Sequence, residues 1–206
     1  MTGTPTPDEF AGALAARVTH DIAGALSGLS AALSMLDEPD PSIREEAAGL
    51  ARQAMDELEA RLALCRAAYG RSAETTDQTA LGRLIERLFG PGRGSVAVSF
   101  DAAALRAETG QAVLALAQIA ASACAAGGAA TLQVRGGERW ACTLDAEGPR
   151  VRLGAEARAG LAGEKPPEGP AGRWALGAFA RSLCRRSGGG VTIVETATGF
   201  QVTAGG

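Results

Sequence analysis

The chain has 206 residues, a formal net charge of -3 and 46 % hydrophobic residues, enough to fill the core of one large domain or two small ones. It holds 45 Ala and 28 Gly but a single His (His20), a single Lys (Lys165) and no Asn. These absences exclude a zinc site with two His ligands from one chain, any mechanism needing an Asn ligand, and a P-loop, since Lys165 is followed by Pro166. Acids outnumber bases, so no nucleic-acid surface is expected. Cys65, Cys124, Cys142 and Cys184 are far apart and form no C-x-x-C pair, and the start MTGTPTPDEF lacks a secretory pattern. Reduced thiols in a cytoplasmic protein are expected. No apolar run approaches the roughly 18 residues of a membrane span, and no membrane association is expected.

The first predicted helix opens at Asp8, read as its cap, and stops before Asp37-Glu38-Pro39-Asp40-Pro41. Its apolar residues, Phe10, Leu14, Val18, Ile22, Leu26, Leu29, Leu33 and Leu36, advance by three and four and form one stripe. A second helix follows, with Ser42 and Glu45 fitting a capping box and a stripe from Ile43 to Cys65, ending by Tyr69-Gly70. Two long helices with a short joint make an antiparallel hairpin, whose simplest completion is a dimer forming a four-helix bundle. The small, polar stretch from Gly70 to Thr79 reads as a linker.

Beyond it the pattern alternates. It predicts a helix over 79–88, a strand over 95–100, a helix over 108–126, and strands over 129–135 and 138–145 joined by Gly136-Gly137. A short helix over 155–161 precedes the loop Gly163 to Pro170; a helix over 173–186 and strands over 191–195 and 199–203 complete the chain. The expected class is therefore α+β: an N-terminal helical hairpin (1–70), a linker (71–78) and an α/β sandwich (79–206).

His20 carries the chemical argument. On a 100° helical wheel it falls about 280° from Phe10, nearly opposite the apolar stripe. Ala13, Ala16, Gly24, Ser27, Ala31 and Ser34 share that face, with Arg17 near its edge. The second helix instead carries Arg44, Glu45, Arg52, Glu57, Glu59 and Arg61. A face stripped of bulk around an exposed imidazole suits close approach by another macromolecule, although an Ala-rich chain places small residues widely. Imidazole can attack a phosphoryl group while its second nitrogen is oriented by a hydrogen bond, and Asp21 follows immediately.

THDIAGALSGL (Thr19 to Leu29) resembles the H-box of the dimerisation and phosphotransfer domain of histidine kinases: His20, Asp21, Ile22 and Leu26 match, and Ala25 replaces its Pro. Gly24 stands where many such kinases keep a Thr or Asn for dephosphorylation. The element order after Thr79 is similar to the kinase ATP-binding domain, but its motifs are degraded. Gln118 and Ser122 take the two Asn places, Asp145-Ala146-Glu147-Gly148 keeps the acid with one shifted Gly, and Arg173 and Trp174 fill the last glycine box, Gly172 to Gly177. The chain thus resembles the ChpT-type histidine phosphotransferases of bacterial phosphorelays. That resemblance implies a homodimer with a degenerate kinase-like second domain, no ATP requirement, and two-way phosphoryl exchange with receiver-domain Asp residues, Mg2+ residing on the receiver. Under it His20 is the phospho-acceptor, Asp21 supports it, Arg17 offsets charge, and Ala13, Ala16, Gly24, Ser27 and Ala31 meet the partner. The expected partners are the receiver domain of a hybrid histidine kinase and that of a response regulator. The rival readings are a kinase core with noncanonical ATP use and a non-catalytic dimeric adaptor.

Overall fold

The computed structural model describes residues 6–70, 75–91, 94–101, 105–137, 139–165 and 171–206. The expected linker residues 71–74, the strand start at Glu138 and the loop residues 166–170 lie outside the described residues.

Helix α1 runs Pro7–Ser34 and tightens into a 3-10 turn at Met35–Asp37; α2 runs Pro41–Tyr69. Both caps differ from expectation for one reason. Proline favours the first helical position, where its missing N–H costs nothing. Pro7 and Pro41 take that position, which moves the caps back to Thr6 and Asp40. Thr6 and Glu9 form the reciprocal capping box, whereas Asp40 accepts from the Ser42 amide at 2.8 Å, so the box expected at Ser42 and Glu45 is not formed. The helices pack as an antiparallel hairpin around Ala25, Ala32, Ala47 and Ala60. The apolar stripe of α1 is only partly covered. Phe10, Leu14, Val18, Ile22 and Leu29 are half-buried, while Leu26, Leu33 and, on α2, Leu50 and Met55 are exposed.

The remaining elements form a two-layer sandwich. A pair of two-residue strands, β1 (Thr75–Thr76) and β3 (Leu105–Arg106), was not foreseen. Between them in sequence lie helix α3 (Gln78–Phe89) and strand β2 (Ser95–Phe100). Helix α4 (Ala107–Cys124) follows, then β4 (Ala129–Arg135), β5 (Ala141–Glu147), α5 (Ala155–Ala162), α6 (Gly172–Arg186), β6 (Gly190–Glu195) and β7 (Gly199–Gly205). The main sheet has the order β2-β4-β5-β7-β6, with β2 parallel to β4 and every other pair antiparallel.

Strand β5 begins three residues later than its pattern predicted. Backbone bonds in both directions between Trp140 and Gly206 hold the chain beside the end of β7, and the β4 ladder closes at Arg135 opposite Ala141. The connection is thus a five-residue loop rather than a tight turn at Gly136-Gly137.

Alternation along the strands gives the sheet one dry face: Ala130, Leu132 and Val134 are buried while Thr131, Gln133 and Arg135 are exposed. Helix α4 lies on that dry face, and Ala112 to Ala120 are buried on every side. Each Leu of this core (Leu116, Leu132, Leu144, Leu183) contributes about 1.5–3 kcal/mol by leaving water. Helices α1 and α2 pack directly against α6 and α4, which brings the hairpin and the sandwich into contact.

Candidate functional site

His20 lies in the fourth turn of α1 and its side chain is 82 % exposed. Nδ1 lies 3.4 Å from Oδ1 of Asp21, at the long end of hydrogen-bonding range. The other carboxylate oxygen, Oδ2, lies 2.9 Å from Nε of Arg17, one turn back along the helix. Asp21 and Arg17 are mostly covered, so an exposed imidazole stands on a largely buried ion pair.

The small residues expected to meet a partner lie on the same stretch of α1 as the ring. Ala16, Gly24, Ser27 and Ala31 are exposed and Ala13 is half-buried. A Cβ added at Gly24 would meet nothing within 4 Å, so this glycine fills no close contact inside the molecule. Ser27 and Ser34 fold back to donate to the carbonyls of Ala23 and Ser30, at 2.9 and 3.0 Å, which leaves the surface low.

The residues of the three degraded motifs have structural partners. Gln118 is buried in α4 and donates through Nε2 to Tyr69 Oη at 3.2 Å and to the Leu114 carbonyl at 3.2 Å. It thereby ties α4 to the end of α2. Asp145 accepts from Gln201 at 2.6 Å, its cross-strand neighbour on β7, on the face of the sheet away from α4. Gly172 to Gly177 is not a loop at all but the first turns of α6. Trp174 is fully buried there and donates to the Glu164 carbonyl at 2.9 Å. Gly177 faces Gly160 of α5, where a Cβ on either would overlap the other helix's backbone.

Ser122 and Arg173 meet at a cleft of about 280 Å³ between the end of α4 and the starts of α5 and α6, with Arg150 and Arg152 on its rim. No carboxylate lines it, so it lacks the hard oxygen ligands that hold Mg2+. Among the described residues no group of three or more His, Cys, Asp or Glu could hold a metal ion.

An aromatic seam escaped the sequence reading. Phe10 of α1 meets Trp174 edge-on at 6.4 Å and stacks on Phe179 at 6.3 Å; Tyr69 of α2 meets Phe179 edge-on at 5.5 Å. Half of the chain's eight aromatics gather where hairpin and sandwich touch, and their scarcity elsewhere was the available clue. Burial holds the Tyr69 hydroxyl above its ordinary value, and it feels the charges of both Arg17 and Asp21. Burial, with Asp21 second, likewise pushes the Cys65 thiol up.

The family model for the histidine phosphotransferase C-terminal domain matches residues 79–199. The chain belongs to the histidine phosphotransferase family. A solved structure of a bacterial phosphotransferase is 19 % identical to it, with each chain covered over 99 % of its length and a TM-score of 0.82, so hairpin and sandwich together reproduce that fold. The histidine kinase domain of the blue-light activated kinase EL346 from Erythrobacter litoralis is 18 % identical over 97 % of this chain and 94 % of that one, with a TM-score of 0.42. No curated protein matches the chain. Among the described residues of this phosphotransferase, no helix is long and apolar enough to cross a membrane.

Proposed function

We propose that this protein is a phosphorelay intermediate in which His20 takes a phosphoryl group from the aspartyl phosphate of one receiver domain and passes it to the Asp of another. The observation that carries this reading is the exposed imidazole of His20, standing on small residues with its Nδ1 turned toward Asp21. With the proton on Nδ1, the Nε2 lone pair is free and outward. It attacks phosphorus, the N–P bond forms, and the P–O bond to the donor carboxylate breaks with the electron pair leaving on that carboxylate. The product is an Nε2-phosphoimidazolium whose positive charge faces the Asp21 carboxylate. Transfer onward reverses the step: the acceptor carboxylate attacks phosphorus and neutral His20 is regenerated.

In this reading the receivers supply Mg2+ and their own acid clusters, and this chain needs no ATP. The Gln118–Tyr69 and Asp145–Gln201 contacts support that part, since a residue from each of two of the three motifs is committed to holding the fold. A cytoplasmic homodimer completes the proposal, with exposed Leu26, Leu33, Leu50 and Met55 as the surface for a four-helix bundle.

The test is transfer from a phosphorylated receiver to the wild type and to His20→Ala. The wild type is expected to take up label that survives alkali, as phosphohistidine does and aspartyl phosphate does not, and the variant none. Label on neither protein overturns the reading in favour of an adaptor, equal label on both overturns the role of His20, and label appearing from Mg-ATP alone overturns it in favour of a kinase.

A further inference from the structure

Asp21 splits its two oxygens between two partners: Oδ2 lies 2.9 Å from Arg17 Nε and Oδ1 lies 3.4 Å from His20 Nδ1. The exposures order the three groups, with Arg17 at 18 %, Asp21 at 13 % and His20 at 82 %. The acid is gripped from behind and offers its remaining oxygen to a free ring. The Nε of Arg17 is buried without a directed hydrogen bond, so the grip is one of charge.

Arg17 is itself held. Gly172, the first residue of α6, sits over its stem so closely that a Cβ there would stand 3.3 Å from Arg17 Cβ and 3.4 Å from its Cδ. The same helix supplies Trp174 and Phe179 to the aromatic seam on Phe10, so the approach of α6 to α1 is fixed by packing just beyond this contact.

We propose that Arg17 is a positioning residue for His20, which keeps the Asp21 carboxylate on Nδ1 so that Nε2 faces the partner, and that Gly172 is the seat that keeps Arg17 in that posture. The start of α6, in the sandwich, thereby sets the tautomer and aim of a nucleophile in the hairpin. The transfer role of His20 is taken from the function proposed above; the geometry of the seat stands apart from it.

His20 is the sole histidine, so its two ring nitrogens give the only imidazole signals in a long-range 15N–1H spectrum of the full chain. With the ring neutral, the wild type is expected to hold its proton mainly on Nδ1. In Arg17→Met and in Gly172→Val the balance is expected to move to Nε2–H, the tautomer a free histidine prefers. Single-turnover transfer should fall at least about tenfold in both, less than the roughly hundredfold lower end for a positioned acid–base group because the ring is misaimed and not removed. Arg17→Lys, which returns the charge, is expected to restore most of the Nδ1–H population and of the rate.

A wild type with its proton mainly on Nε2 overturns the proposal by itself, whatever the variants do. So does an Arg17→Met protein with an unmoved tautomer, or one that Arg17→Lys fails to rescue. The spectrum needs no phosphoryl donor. A failed transfer reading therefore shows as label on His20→Ala, and a failed positioning role shows in the ring signals.

Discussion

Glu9 and Asp40 are the acids whose ionisation holds the two long helices at their starts. The Thr6 amide and then its hydroxyl hold the Glu9 carboxyl below its ordinary value of 4.5; the Ser42 hydroxyl and then its amide do the same for Asp40, ordinarily 3.8. Both folded-state values are depressed, so each cap contributes fully above the ordinary value and is lost as pH falls through the lowered one. As pH falls below these ordinary values and through the lowered ones, the protection factors of the first-turn amides of α1 and α2, each taken against the intrinsic exchange rate at that pH, should therefore drop while the middles of the helices stay protected. Hydrogen exchange read residue by residue checks this, and uniform loss of protection along both helices would count against it. His20, about four turns beyond the first cap, was legible in the sequence because its position on the wheel needed only helical geometry. Its dependence on Gly172 was not legible, because 152 positions separate residues that only the packed fold brings together.

At the scale of elements, the α5–α6 crossing is a close backbone-to-backbone joint with a clear expected response. A Cβ at Gly177 would stand 2.4 Å from the Ala157 carbonyl oxygen, and one at Gly160 would stand 2.2 Å from that of Trp174. Backbone cannot yield as a side-chain tip does. Gly177→Ala and Gly160→Ala should each cost about 1–3 kcal/mol or more by forcing the helices apart. Urea unfolding measures it, and a change under about 0.5 kcal/mol, the usual size at surface sites, would contradict the crossing.

The order and type of the longer elements followed from periodicity, because each exposes one face and buries another. The short β1–β3 pair did not. Two residues carry no period, and their partner strand lies about thirty positions away; the only local trace is Gly110, whose missing side chain admits Thr76 Oγ1 to 3.0 Å from a Cβ position. In sequence, Gly172 to Gly177 resembles a degraded nucleotide loop because glycine spacing looks the same for a phosphate cradle and for close helix contacts. The neighbours decide between the two, and Trp174, buried at 0 % exposure, belongs to a helix interior.

For the whole molecule, the large apolar side chains exposed on helices among the described residues all lie on the hairpin, and the sandwich exposes Val194 on strand β6. Leu33 is 49 % exposed and Leu26 45 %, beside Leu50 and Met55 on α2. Light scattering on the eluting protein should give twice the chain mass of 20.7 kDa, and the pair Leu26→Glu with Leu33→Glu should give the single mass with helical content retained. A wild type that elutes as a monomer at micromolar concentration would remove the bundle from the proposal. The sandwich should survive either outcome, since its core is closed without a second copy.

The seam between hairpin and sandwich has an optical consequence. The chain has two tryptophans, and they occupy different places. Trp140 is buried with the core residues of the sheet, so its emission is a steady background. Trp174 packs edge-on against Phe10 of α1, so its indole is quenched or shifted by any movement of α6 away from that helix. Its fluorescence is thus a built-in gauge of whether the two parts of the chain stay together while a receiver sits on His20, readable in stopped flow without a label.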